Sequence, residues 1–367
     1  MDTFAFIIHP IDPKRDVSRK FPRLGRLLTE RQIDFFSTFF PPVYISEITG
    51  IVSQTTGKEI KGWFIACPLT PRRMLELPAW LVYRKIIQTG NKAERMGAHM
   101  LGLGAFTSVV GDGGLTVARA LDIPVTTGDS YTVAIAVDAI REAARRMDID
   151  LPGATVAVVG ASGAIGKIAA ALLAREAGEV YLIGRRRHAL EAVQARLVSQ
   201  GSRAVVRVST EMRDLRHAQL VLTVTSALDT IIEPEHLQPG SVVCDVARPR
   251  DVSARVAAAR DDVLVIDGGM VEVPGSVDFH FDFGFPSGKA YACMAETMAL
   301  TLESRFEDYT IGKALSLAKV EEIAHIASKH GFRLSGFRSF EKPVTAEHIA
   351  RVRALAQQRQ RTRRAGR

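Results

Sequence analysis

A seven-residue run, Gly160-Ala161-Ser162-Gly163-Ala164-Ile165-Gly166, constrains this chain more than any other feature. It follows a short strand-like segment, Thr155–Val159, and opens a segment, Ile165–Ala177, whose apolar residues recur at helical spacing. Glycines in a strand-to-helix turn allow a tight bend, close backbone approach to a pyrophosphate and close helix–strand packing. The helix start then offers unpaired N–H groups to phosphate oxygens. Gly160, Ser162, Gly163, Ala164, Ile165 and Gly166 are the expected dinucleotide-binding residues.

The pattern around this run fixes the fold class. Further strands are expected at Glu179–Ile183, Ala204–Val208, Leu220–Val224, Ser241–Asp245 and Val263–Asp267, with a second helix at His188–Gln200. Short apolar strands joined by helical crossovers give a parallel sheet covered on both faces. The expected architecture is α/β, with a doubly wound Rossmann domain flanked by an N-terminal α/β substrate domain and C-terminal helices. Leu151-Pro152-Gly153 is a turn signal after the helical stretch Ser130–Met147. It sets boundaries at 1–150 for the substrate side, 151–286 for the dinucleotide domain and 287–367 for the helical segment. Extended runs are expected at Thr3–Ile8, Val43–Thr49 and Gly62–Cys67. Helices are expected at Arg72–Thr89, Lys289–Arg305, Leu315–Lys329 and Thr345–Gln358. The two flanks are expected to pack together, leaving a cleft at the sheet's carboxyl edge.

Cofactor choice is read at the end of the second strand, where an acid holds a free ribose and arginines accept a 2′-phosphate. This chain has Gly184-Arg185-Arg186-Arg187 and no carboxylate before Glu191, which points to NADPH. Thr225 and Ser226, at the end of the fourth strand, are the expected wall beneath the nicotinamide ribose.

Cys293 stands in Ala292-Cys293-Met294-Ala295-Glu296, at the first turns of an expected helix. A helix start and the nearby Lys289 both favour thiolate over thiol, and a thiolate beside NADPH permits acyl transfer to sulfur followed by reduction. Cys67 and Cys244 lie in apolar runs and read as structural. Three scattered cysteines give no disulfide framework, and neither CxxC nor HExxH spacing suggests a metal site. Tyr309 and Lys313 have the spacing of a short-chain dehydrogenase pair, but Gly312 interrupts their helix and a whole domain precedes the glycine run.

Net charge is +8, and it is clustered. Lys14, Arg15, Arg19, Lys20, Arg23, Arg26 and Arg31 are interleaved with Phe21, Leu24, Leu27 and Leu28. Arg351, Arg353, Arg359, Arg361, Arg363, Arg364 and Arg367 crowd an acid-free end that is expected to fray. Such patches recruit acidic partners. No stretch approaches the roughly 18 uncharged apolar residues of a membrane span, and the N-terminus lacks a secretory pattern. A cytoplasmic protein is expected.

Taken together, these residues resemble the cyanobacterial-type long-chain fatty acyl-[acyl-carrier-protein] reductases. The resemblance runs to about Phe332. It rests on Gly104–Ser108, Thr126-Thr127-Gly128, the glycine run, Asp267-Gly268-Gly269-Met270-Val271-Glu272, Ala292–Glu296 and Ser328–Phe332. It implies NADPH-dependent reduction of acyl thioesters to fatty aldehydes through an acylated cysteine, which maps onto Cys293. It also implies an acyl carrier protein or acyl-CoA as donor; separately, the charge of the arginine-rich end makes a transient contact with anionic lipid an expectation, and no nucleic-acid partner is expected. Departures fall at Asp129, where the family typically has Asn, at Asp267, where a basic residue is expected, and at Gly111–Gly114. Glu296 and Lys289 both remain open as proton donor. Two other readings stay open: an NADP-dependent alcohol or keto-acid dehydrogenase of shikimate-dehydrogenase-like plan, and a non-catalytic NADPH-binding module.

Overall fold

Strands and helices are interspersed along the computed structural model, which describes residues 1–365. The first sheet uses β1 (Asp2–Ile8), β2 (Val43–Val52), β3 (Glu59–Ala66), β4 (Leu101–Leu103) and β5 (Val125–Thr126). Its order is Gly275–Asp278, β2, β3, β1, β4, β5. β2 and β3 are antiparallel, whereas β1 runs parallel to both β3 and β4. Ala5, Ile7, Ile65, Leu101 and Leu103 form a buried core with Val82 and Ile86 of the helix Ala79–Arg95.

The second sheet contains β6 (Thr155–Val159), β7 (Glu179–Ile183), β8 (Val205–Ser209), β9 (Leu220–Thr223), β10 (Val242–Asp245) and β11 (Leu264–Asp267). All six are parallel, in the order β8-β7-β6-β9-β10-β11. This is the Rossmann order, and its reversal between β6 and β9 marks the crevice where open parallel sheets bind ligands. β9 and β10 are buried at every position, which explains why they read as unbroken apolar runs. The expected strand positions agree with the observed ones to within about one residue.

Two compact units divide the chain, residues 1–132 with 271–335 and residues 133–270 with 336–367. The sequence reading placed three consecutive segments instead. The difference has a plain cause in pairing. Gly275–Asp278 hydrogen-bonds to β2, and the helix Ala292–Leu302 packs on β1, β3 and β4, so the segment after β11 returns to the first sheet.

The last segment belongs with the Rossmann unit. Residues Ala346–Ala365 form a helix in which Ile349, Val352 and Ala356 are buried. Arg359 pairs with Asp261 and Asp262, and the Gln360 amide donates to the Pro239 carbonyl. The end expected to fray is therefore helical at least to Ala365. The side chains of Arg363 and Arg364, and all of Arg367, lie outside what the structure describes.

Two helix expectations are corrected. The stretch Arg72–Thr89 is two helices, Pro71–Glu76 and Ala79–Arg95. Pro78 forces Leu77 into an extended conformation (ψ 150°) and cannot donate a helical hydrogen bond. Lys289–Tyr291 is a strand, and the helix begins only at Ala292.

Candidate active site

The glycine run builds its turn as the sequence predicts. Gly160 has φ +82°, and a Cβ at Gly166 would lie 2.3 Å from the Gly160 carbonyl oxygen. Neither position admits a larger residue without shifting backbone. Gly163 caps the helix Ala164–Leu173, whose first-turn amides, including those of Ala164, Ile165 and Gly166, have no carbonyl within the helix to bond. Ser162 lies in the same turn and is half-buried. This cradle, open to backbone approach at the sheet's switch point, fits a dinucleotide pyrophosphate.

Arg185, Arg186 and Arg187 are exposed just beyond β7, and Arg187 lies 3.8 Å from Glu191. Past β9, Asp251 organises the expected ribose wall. Its carboxylate accepts from the Thr223 hydroxyl (2.5 Å), the Thr225 hydroxyl (2.5 Å) and the Thr225 amide (3.1 Å). The Thr225 hydroxyl oxygen in turn accepts from the Ala227 amide at 3.1 Å, and Ser226 is the residue between them. Asp267, the acid found where a base was expected, is ion-paired with Arg250, and Arg248 lies 3.7 Å away. Its charge is met locally. Asp251 was not found from sequence, because nothing in Arg248–Asp251 signals that its carboxylate turns back to β9.

Cys293 is the second residue of its helix and is half-buried. The turn Thr126–Gly128 runs directly against it. A Cβ on Gly128 (φ +77°) would lie 2.3 Å from the Cys293 Cα, so glycine is required by both torsion and space. The helix Asp129–Arg146 starts at this turn and brings Asp129 beside the thiol. One turn along from Cys293, Glu296 is fully buried and accepts from the Thr126 hydroxyl and, at 2.8 Å, from the Tyr131 amide. Thr310 ties in the next segment, its amide donating to Thr126 and its hydroxyl meeting that of Ser130.

The electrostatics correct one expectation. Burial pushes the Cys293 thiol up to about 12, the charge of Asp129 adds to this, and the Met294 and Cys293 amides only partly oppose it. Burial and the Asp129 charge thus favour the protonated thiol, against the thiolate that the helix start was expected to favour. Lys289 lies in the strand before the helix, not within its first turn. Burial also raises Asp129, to about 7, with the Glu296 charge adding to the effect. Glu296 is raised by burial too, although its donors from Thr126 and Tyr131 favour the ionised form. Asp129 is thus a carboxyl that titrates near neutrality beside a thiol, the usual profile of an acid–base group. Sequence reading noticed it only as a departure. Cys67, fully buried, is pushed up to about 11, and Cys244 is also pushed up by burial.

An aromatic run borders this site. Phe64 stacks on Phe279, with centroids 5.6 Å apart, and the contacts continue through Phe283 and Phe285 to Tyr291 at 4.4 Å. Tyr291 is the cap residue of the Cys293 helix, two positions before the sulfur. These rings went unnoticed in sequence because Phe279–Phe285 fits neither strand nor helix periodicity. The Tyr309 hydroxyl is engaged by Glu322 at 2.9 Å, and Lys319 bonds the Tyr309 carbonyl, which removes that tyrosine from contention.

Residues 141–267 match the sequence pattern of the shikimate / quinate 5-dehydrogenase family. The chain is 32% identical over 361 residues to the aminotransferase PigE of Serratia sp., covering 95% of this chain but only 42% of that protein. It is 27% identical over 347 residues to the long-chain acyl-[acyl-carrier-protein] reductase of Synechococcus elongatus, covering 90% of this chain and 98% of that one. Among solved structures, L-tryptophan dehydrogenase from Nostoc punctiforme aligns over 98% of this chain and 88% of its own. That alignment has 12% identity and a TM-score of 0.41. The matched dehydrogenase family and the Synechococcus relative are both oxidoreductases, and their similarity supports an enzyme of that class.

Proposed function

We propose that this chain reduces long-chain acyl thioesters to fatty aldehydes with NADPH, by way of an acyl group held on Cys293. The observation that carries the reading is the Cys293 site itself, where a thiol at a helix start meets a carboxyl titrating near 7 and an aromatic run. Similarity to an acyl-carrier-protein reductase across 90% of the chain supports it.

The chain's own groups divide the work. The Cys293 sulfur attacks the thioester carbonyl carbon while Asp129 takes its proton. The carbon–sulfur bond to the carrier breaks, and Asp129 passes the proton to the departing thiolate. The Gly160–Gly166 turn would hold the NADPH pyrophosphate and Arg185–Arg187 would be available to its 2′-phosphate, and the cofactor would supply the hydride that takes the acyl carbon to the aldehyde level. Collapse of the resulting thiohemiacetal frees the aldehyde and leaves sulfur as thiolate, which recovers its proton through Asp129. Glu296, held by Thr126 and Tyr131, stays in place and keeps Asp129 high. Phe283, Phe285 and Tyr291 offer apolar surface to the acyl chain.

The donor is an acyl carrier protein or CoA thioester met in the cytoplasm, and the Lys14–Arg31 cluster draws an acidic carrier. Intact mass after mixing with a long-chain acyl thioester, without NADPH, tests the chemistry. The wild type gains one acyl group, Cys293→Ala gains none, and NADPH restores the free mass. Acylation confined to Cys67 or Cys244 overturns the assignment. A simple dehydrogenase, the reading favoured by the 141–267 match, needs no thiol and would keep its activity in Cys293→Ala.

A further inference from the structure

The first unit exposes an aromatic cluster that its own fold leaves uncovered. The helix Glu30–Ser37 is fixed at its start by a capping box between Thr29 and Gln32. From it and the turn that follows project Phe35 (56% exposed), Phe36, Phe39 (68%) and Phe40. Phe35 touches both Phe36 and Phe39, with centroids 5.4 and 5.5 Å apart. The neighbouring helices are anchored to the same spot. Arg73 donates to the Thr38 hydroxyl, and the Lys85 ammonium donates to the Phe40 carbonyl. Trp80, 62% exposed, opens the Ala79–Arg95 helix with Arg84 set over its ring at 6.0 Å.

Phe35, Phe36 and Phe39 are exposed and in ring contact, with exposed Phe40 next in the chain, and a contiguous exposed aromatic cluster marks a contact surface. The surrounding charge says with what. The flanking stretch 71–92 holds five basic side chains and one acidic one, separate from the Lys14–Arg31 cluster. Rings that insert at headgroup depth, set among arginines and lysines that meet anionic headgroups, are the chemistry of an interfacial membrane contact. Among the described residues no helix is long and apolar enough to cross a bilayer, so the contact is peripheral.

We propose that the face formed by Phe35, Phe36, Phe39, Phe40 and Trp80 docks on an anionic lipid bilayer. The inference stands apart from the reduction chemistry, because its test needs no acyl substrate. The full chain is sedimented with vesicles of phosphatidylcholine containing phosphatidylglycerol, and with phosphatidylcholine alone. Binding is expected with the anionic vesicles only, with a blue shift of tryptophan emission, since Trp80 is exposed and Trp63 packs on the core. Phe35→Ser with Phe39→Ser, and separately Arg72→Glu with Arg84→Glu, should each lower partitioning at least about tenfold. All four positions are exposed, and unchanged thermal melts of the variants confirm that their folds persist. Three results overturn the proposal: no binding to anionic vesicles, binding that ignores the phenylalanine changes, or a lipid-free dimer that those changes dissolve. A raised KM for acyl carrier protein with vesicle binding intact would assign the face to the carrier instead.

Discussion

The glycine turn and the cysteine pocket are built on opposite principles. The dinucleotide cradle is local: seven consecutive residues set its backbone, and its function follows from where side chains are absent. The Cys293 site is non-local, assembled from residues 126–131, 293–297 and 310, and its electrostatics follow from titratable side chains taken out of water. A backbone site can be written in a short motif. A buried electrostatic site exists only after folding, because burial itself sets the proton affinities of Asp129 and Cys293.

Asp129→Asn separates the two most sharply. It installs the residue typical of the reductases this chain resembles, so acyl-thioester reduction should persist, while any rise in rate as pH passes through about 7 should be abolished. NADPH affinity should be untouched, as measured by fluorescence titration. Stability provides an independent readout. Asp129 binds its proton more tightly folded than unfolded, so its stabilising contribution is full below about pH 4 and is lost as pH rises toward 7. The asparagine variant should lose that decline, and near neutrality it should melt higher by an amount equivalent to about 1–3 kcal/mol. Equal pH profiles for both proteins would remove Asp129 from the chemistry.

The backbone site breaks differently. Gly166→Ala drives a Cβ to 2.3 Å from the Gly160 carbonyl and should cost about 1–3 kcal/mol of stability together with NADPH binding. At Gly163, where φ is −75° and the nearest atom is 3.2 Å away, alanine should cost well under that. Denaturant melts of the two variants would show whether space or mere glycine content matters.

Smaller effects lie on exposed charges. Neutralising Arg185, Arg186 and Arg187 together should raise KM for NADPH about tenfold and leave NADH unchanged. Parity of the two cofactors in the wild type would refute the arginine reading. Charge reversal at Arg15, Arg23 and Arg26 should raise KM for an acyl-carrier substrate only a few-fold, and the difference should fade as salt shortens the roughly 8 Å screening length. A KM indifferent to salt and to the reversals would end the docking role of that cluster.

The same contrast explains what the sequence disclosed. β6, β9, β10 and β11 were readable because burial on both faces leaves apolar runs with turn residues between them. Gly160–Gly166 was readable because its constraint is steric and contiguous. Gly128 stood in a quoted motif and Asp129 just after it, yet their meaning depends on Cys293 lying 165 and 164 residues away in sequence and close in space. The basic C-terminal end misled for a related reason. Its arginines looked unpaired because Asp261 and Asp262, which meet Arg359, are about a hundred residues upstream. Local pattern reports what a segment buries, and says little about which distant charge it meets.

The Asp251 carboxylate carries a consequence for hydrogen-bond polarity. A carboxylate can only accept, so the Thr225 hydroxyl must spend its single proton on it. One of the two lone pairs on that oxygen is already occupied by the Ala227 amide. What Thr225 can still offer is one acceptor and no donor. Any group seated against it has to bring its own hydrogen, as a ribose hydroxyl or a carboxamide NH₂ does, and a phosphate oxygen placed there would face lone pair against lone pair. A fixed proton direction of this kind would sort the two ends of a dinucleotide, with the Asp251 charge acting from behind Thr225 rather than on the ligand itself.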